Sequence, residues 1–202
     1  IRAYGVTLNV DKVLPFRFIA AARIVPQFED MLEQMMFKAL EKHEKLPGRT
    51  VLMVDVSYSM YGAKVSGKSD LDRFDAAAAL AVLLREICEE VVIYSFAEDA
   101  VRVAPRRGFA LIEAIRNSNG GGTTLGKSIE TVKREQTNGF DRLVVFTDEA
   151  SYDTPPAPPY GSKGYIINVA AYQNGINNNA WTTITGFSEA VLDYIQALER
   201  VE

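Results

Sequence analysis

Residues Thr50 to Met60 read "TVLMVDVSYSM", and the way this stretch divides decides the fold. Thr50 to Val56 form an apolar run rich in β-branched side chains, bounded upstream by Gly48. An apolar run without polar alternation is the pattern of a strand covered on both faces, as in a parallel sheet. The stretch then turns polar, and Asp55, Ser57 and Ser59 fall into D-x-S-x-S spacing where the strand ends. In open α/β sheets, ligands bind outside the C-terminal ends of the strands.

Working outward, Leu71, Phe74, Ala78, Val82 and Arg85 recur at helical spacing, so "FDAAAALAVLLREIC" is expected as a helix capped by Asp70. "VVIYSF" follows as a strand, and "AVRVAP" as a short antiparallel or edge strand stopped by Pro105. Phe109, Ile112 and Ile115 mark a short amphipathic helix, and Leu125 to about Gln136 another. "RLVVFTD" and "GYIINVAAY" read as strands and "SEAVLDYIQALERV" as a closing helix. Upstream, Phe28, Leu32, Met35, Ala39 and His43 share a helix face, and "YGVTLNV" adds a strand. "DTPPAPPYGSK" (Asp153 to Lys163) carries four prolines where a helix would be usual, so an irregular loop is expected. This alternation predicts the α/β class. The expected architecture is a three-layer open sheet, mostly parallel with one antiparallel edge strand, with helices on both faces. Residues 1–202 are read as one domain, with residues 1–48 an N-terminal strand and helix extension packed on it.

The bulk composition fits that size. The chain has 202 residues, 48% hydrophobic and 24% charged, within the usual range for a globular domain. A formal net charge of −4 argues against a protein that wraps nucleic acid by charge alone. Cys88 is the single cysteine, placed by its spacing from Ala81 and Leu84 on a helix face and expected as a buried, inert thiol. With no secretory signal and no apolar run near the ~18 residues of a membrane span, the expected location is the cytoplasm, away from membranes. The numbering opens on Ile1 rather than Met, which leaves room for a preceding segment.

A second motif competes for the function. "GGTTLGKS", Gly121 to Ser128, matches the phosphate-loop pattern G-x-x-x-x-G-K-[ST], and "LVVFTDE" has the apolar strand with an acidic end that such a site uses. The alternative function is therefore a Mg²⁺-dependent nucleotide-binding hydrolase using Lys127 and Ser128. The context argues otherwise, because a phosphate loop leaves a buried strand directly, whereas "FALIEAIRNSN" has the pattern of a helix and a polar turn. Gly126, Lys127 and Ser128 are accordingly read as the first turn of a surface helix.

A more specific constellation uses the same glycines. "GGGTT" brings Thr123, and "VVFTDE" ends a strand on Asp148, so three separated segments converge on the sheet edge that holds Asp55, Ser57 and Ser59. Alone, D-x-S-x-S is also what a capped turn looks like. Hydroxyls with one or two carboxylates suit a hard divalent cation, and Mg²⁺ keeps several waters. The order D-x-S-x-S, G-G-T, T-D resembles the metal-ion-dependent adhesion site of von Willebrand factor type A domains, over roughly Thr50 to Tyr172. Thr123, directly after Gly122, is the match and Thr124 the near miss.

That resemblance implies a Rossmann-like fold in which Ser57, Ser59 and Thr123 approach the metal, with Asp55 and Asp148 acting directly or through water. The cofactor would be Mg²⁺, or another divalent cation such as Mn²⁺ or Ca²⁺. The partner would be an acidic ligand or protein, and no enzymatic turnover is expected. "LPFRFIAAARIVPQFEDMLEQMMFKAL" and "GFSEAVLDYI" further resemble the metal-site domain of Ro autoantigen-type proteins, the TROVE group. That group joins such a domain to a helical ring that binds small noncoding RNAs. The chain would then be the C-terminal part of a Ro-like ribonucleoprotein, or a ring-free relative.

The remaining candidates are plainer. Glu149 is expected in solvent beside the site, and His43 in core or interface packing. The absence of C-x-x-C and H-E-x-x-H speaks against zinc. Arg102, Arg106, Arg107, Lys127, Lys133 and Arg134 read as a scattered solvated face. Tyr58, Tyr61, Tyr152 and Tyr160 are expected mostly to pack loops, with stacking on exposed bases as the functional alternative.

Overall fold

Thr50 to Val56 runs through the middle of a six-stranded sheet in the computed structural model, which describes residues 2–3, 6–7, 10, 13–65, 71–118, 120–170, 179–188 and 190–200. In chain order the elements begin with β1 (Arg2–Ala3), β2 (Val6–Thr7), α1 (Phe16–Ile24), α2 (Glu29–Leu40) and β3 (Leu46–Asp55). Next come α3 (Arg73–Ile87), β4 (Cys88–Phe96), β5 (Ala100–Arg102), α4 (Gly108–Arg116) and α5 (Leu125–Glu135). The chain continues with β6 (Arg142–Thr147), β7 (Lys163–Asn168), β8 (Thr182–Thr185) and α6 (Ala190–Arg200). The sheet order is β5-β4-β3-β6-β7-β8, and every pair is parallel except the antiparallel β4–β5 edge. β1 and β2 form a separate antiparallel pair.

The apolar strands are buried on both faces because each face has its own cover. Leu52 and Val54 of β3, with Val144 and Phe146 of β6, pack in one core with α1, α2, α3, α4 and α6. The alternate residues, Val51, Met53, Leu143 and Val145, pack with Leu125, Ile129 and Val132 of α5 and with Trp181. The proline segment completes this second cover, its prolines lying at 155, 156, 158 and 159. A Cβ at Gly164 would stand 2.2 Å from Pro158 Cγ and 2.8 Å from Trp181, so only glycine lets that layer sit directly on β7. Trp181 Nε1 donates to the Pro156 carbonyl at 2.9 Å, which pins the loop in place of a helix.

Three details differ from the sequence expectation. Asp70 lies outside the described residues, and the α3 cap is Asp72, which exchanges side-chain-to-backbone bonds with Asp75 in a capping box. Helix α3 ends at Ile87, and Cys88, buried as expected, begins β4. The sixth strand, β8, was not foreseen, since its threonines lie largely exposed on the sheet edge and leave no apolar run to read. His43 is partly buried and pairs with Asp193 of α6 at 3.3 Å. Tyr172, the last residue of the expected "GYIINVAAY" strand, lies outside the described residues.

Candidate functional site

At the C-terminal end of β3 the backbone turns at once, and Asp55 drives the turn. Its Oδ1 accepts the Ser57 amide at 2.9 Å and its Oδ2 accepts the Thr147 hydroxyl from β6 at 2.7 Å. Ser57 Oγ and Ser59 Oγ then lie 3.2 Å apart. The Tyr58 amide donates to the Gly121 carbonyl at 3.1 Å, tying this loop to the glycine turn. Ser57, Ser59 and Thr123 line one cavity of about 290 Å³, together with Tyr58, Gly121, Gly122, Ala150, Ser151 and Tyr152.

Thr123 and Thr124 have different surroundings. The Thr124 hydroxyl donates to the Glu98 carbonyl at 2.8 Å, and its amide to the Ala97 carbonyl at 2.9 Å. Thr123 is the one that lines the cavity, and its carbonyl accepts the Tyr152 amide. A Cβ at Gly122 would come within 3.1 Å of the Tyr152 ring, so a larger residue there would press on the cavity wall.

Asp55 and Asp148 are fully buried and do not line the cavity. Asp148 Oδ1 accepts the Ala150 amide at 3.1 Å, and its Oδ2 accepts Arg73 Nη1 at 2.7 Å. Arg73 is an unforeseen neighbour, the first residue of α3, and the same nitrogen reaches the Ser59 carbonyl at 3.3 Å. It lies outside every motif, 75 residues from Asp148 in the chain, and only the fold brings the two together. Glu149 corrects an expectation: it is buried, with φ of 61°, and its amide donates to Thr147 Oγ1. The turn that presents Asp148 draws the next residue inward, a conformation uncommon outside glycine.

Burial pushes the Asp55 carboxyl up to about 6 from 3.8, against its hydrogen bonds to Ser57 and Thr147, with repulsion from Asp148 adding to the rise. The sign follows by linkage. A folded pKa above the unfolded one means the fold prefers the protonated form, so ionisation destabilises the domain as pH rises from about 4 to about 6. Any cation drawn to this carboxylate relieves that penalty and competes with its proton. Were a divalent ion to bind through this carboxylate, the Mg²⁺-induced melting shift would be full at pH 7.5 and fade as pH falls through about 6, which melts against pH would measure.

The oxygen-bearing side chains suit a hard cation: three hydroxyl-bearing residues line one cavity and two buried carboxylates lie on the same turns, while the Arg73 guanidinium on Asp148 works against an ion there. Among the described residues there is no cluster of three or more His, Cys, Asp or Glu side chains that could hold a metal, so hydroxyls would have to supply much of the coordination. Two tyrosines rim the cavity, Tyr58 at 77% and Tyr152 at 86% exposure. Tyr61 stacks on Phe74, and Tyr160 packs on Phe140 and donates to the Lys133 carbonyl. The basic residues are dispersed, with Arg107 on Glu86, Lys127 on Asp99 and Lys133 on Glu130.

The phosphate-loop residues have other partners. Gly121 to Ser128 connects α4 to α5 and does not follow a strand. The Gly126 and Lys127 amides both donate to the Asp153 carboxylate at 2.9 Å, and the Leu125 amide donates to Ser151 Oγ. Burial works against the ionised Asp153, yet these amides and the Ser151 hydroxyl hold its carboxyl below the usual range. Ser128 is buried, and its hydroxyl donates to the Thr124 carbonyl at 2.8 Å.

Comparison with known proteins agrees with the fold. No curated protein matches the chain. The structure of the Deinococcus radiodurans Ro (RSR) protein aligns with a TM-score of 0.70 and 23% identity, over 88% of this chain and 39% of that one. This chain thus spans about two fifths of the length of that protein. The conserved hypothetical protein BatB from Bacteroides thetaiotaomicron aligns with a TM-score of 0.52 and 14% identity, over 76% of this chain and 98% of that one. At these identities both show a shared fold. The von Willebrand factor type A domain profile matches residues 50–150, half of the 202, spanning β3 to the Asp148 turn. The chain therefore belongs to the von Willebrand factor type A domain family.

Proposed function

We propose that this domain recognises an acidic ligand or partner through a divalent cation, Mg²⁺ or a relative such as Mn²⁺ or Ca²⁺, held at the C-terminal end of β3. Ser57, Ser59 and Thr123 would hold the ion, with Asp55 and Asp148 supporting it directly or through water. The observation that carries this is that Ser57, Ser59 and Thr123, hydroxyl-bearing residues of two separate loops, line one cavity on the turns that hold two fully buried carboxylates. The ion, when bound, supplies a positive centre for an anionic oxygen. The chain's own residues do the rest: Asp55 orders the loop through the Ser57 amide, and Tyr58 and Tyr152 offer aromatic surface beside the opening. Tyrosine so placed is well suited to anchoring a partner.

The fold shared with the Ro protein fits the proposal that the domain belongs to a Ro-like ribonucleoprotein, and noncoding RNA is proposed as a partner of that assembly. No described helix is long and apolar enough to cross a membrane. Nucleotide hydrolysis is the weaker reading, because the amides and the hydroxyl it requires are engaged within the chain. Titration with Mg²⁺ and with ATP separates the two. The wild type should gain melting temperature with Mg²⁺ alone, and Lys127→Ala should leave that gain unchanged, since its pairing with Asp99 is largely exposed and contributes little. ATP turnover lost in Lys127→Ala would overturn the proposal, as would a wild type indifferent to every divalent ion.

A further inference from the structure

The segment that joins the two halves of the site is α3, and it does so with a cation. Arg73 is 14% exposed at its side chain, and its Nη1 bonds Asp148 Oδ2 at 2.7 Å and the Ser59 carbonyl at 3.3 Å. One guanidinium thereby bridges the serine loop and the end of β6, the two segments that a metal would also bridge. The other Asp148 oxygen is already engaged by the Ala150 amide. An ion drawing on Asp148 therefore meets an oxygen that already accepts from a positive group.

Charge makes the same point. Among these three groups Asp55 and Asp148 bring two negative charges and Arg73 one positive, so Arg73 cancels half of the charge the two carboxylates would show an arriving ion. Burial sharpens this, because few waters screen groups that lie inside the fold. Even fully water-screened repulsion between a divalent and a monovalent charge about 6 Å apart amounts to roughly tenfold in affinity.

We propose that Arg73 is a resident cation of the site, competing with the divalent ion for Asp148 and holding its affinity down. This rests on the metal-binding reading above. Its consequence is that the ion-free domain is already organised for binding: Arg73 keeps the serine loop and Asp148 together, and yields Asp148 when the metal arrives. Arg73 is thus a positioning residue in the free state and an opponent of loading.

The test is calorimetric titration of Mn²⁺ into the wild type, Arg73→Gln and Arg73→Lys. Arg73→Gln should bind at least about tenfold more tightly, and Arg73→Lys, which keeps the charge, should stay near the wild type. Equal or weaker binding by Arg73→Gln would overturn the inference, since the guanidinium would then be only a brace. Absence of Mn²⁺ binding in all three would instead sink the metal reading itself. If Arg73→Gln does not fold without ion, the wild type decides by NMR. The guanidinium resonances of Arg73, assigned by their loss in Arg73→Lys, should shift on saturation with diamagnetic Mg²⁺, and unchanged resonances would overturn the proposal.

Discussion

Asp55→Asn is expected to raise the melting temperature of the ion-free domain at pH 7.5 while abolishing its response to Mg²⁺. The two effects share one cause. Burial holds the Asp55 carboxyl near 6, so keeping it ionised at neutral pH costs about 3 kcal/mol relative to the unfolded chain. Asparagine removes the charge and can still accept the Ser57 amide, which keeps the turn. For a domain of this size each kcal/mol moves the melting temperature by roughly 2–4 °C, so a gain of several degrees is expected. The loss is as large. An ion present at about a hundredfold over its dissociation constant stabilises by about 2.7 kcal/mol, or roughly 5–10 °C, and that increment should vanish. Scanning calorimetry of both proteins with Mg²⁺ or EDTA checks both halves. A variant that melts lower without ion and still responds to Mg²⁺ would contradict the assignment of Asp55.

Glu199→Ala is expected to lower the melting temperature by on the order of 10 °C without changing the Mg²⁺ response. The pair it breaks lies at the opposite end of the strands. Arg142, 2% exposed at the start of β6, directs Nε and Nη2 at the two Glu199 oxygens of α6 and Nη1 at Thr50 Oγ1, 2.7 Å away. Tyr165 of β7 donates to the same carboxylate at 3.0 Å. Removing Glu199 leaves a buried guanidinium without its counter-charge, a change that typically costs about 3–5 kcal/mol. Replacing both residues with methionine should be milder, because no lone charge remains. Burial opposes ionisation of Glu199, but Arg142 and Tyr165 outweigh it and hold its carboxyl below the ordinary 4.5. Its contribution is therefore present above about 4.5 and lost as pH falls below that, where the wild type should approach the variant. Denaturant melts at pH 7 and pH 3 measure the difference, and an unchanged gap would refute the assignment.

Much of the fold was legible because it rests on short-range patterns. The apolar run in β3, the helical spacing of Phe74, Ala78 and Val82, and the short strand stopped before Pro105 each report local burial. The proline segment is legible as a loop for a local reason too, since proline lacks the amide that a helix requires. β8 escaped because an edge strand of exposed threonines has no apolar signature. The α3 cap was misplaced by two residues: acidic residues cluster there, and the selection of Asp72 depends on its reciprocal bonds with Asp75. Among the site candidates, motif order selects Thr123 over Thr124; in the fold Thr123 lines the cavity while the Thr124 hydroxyl donates to the Glu98 carbonyl.

The sequence by itself determined the class of fold, the sheet edge on which Asp55, Ser57, Ser59, Thr123 and Asp148 fall, and the chemistry those groups can offer. Periodicity and side-chain type are local properties, and they survive without coordinates. Only the tertiary structure decided that Asp153 occupies the amides of the phosphate-loop pattern, that Glu149 turns inward, and that Arg73 rests on Asp148 across 75 residues of chain. Such pairings depend on which elements the sheet brings side by side, and hydrogen bonds and charge act through space and not along the chain.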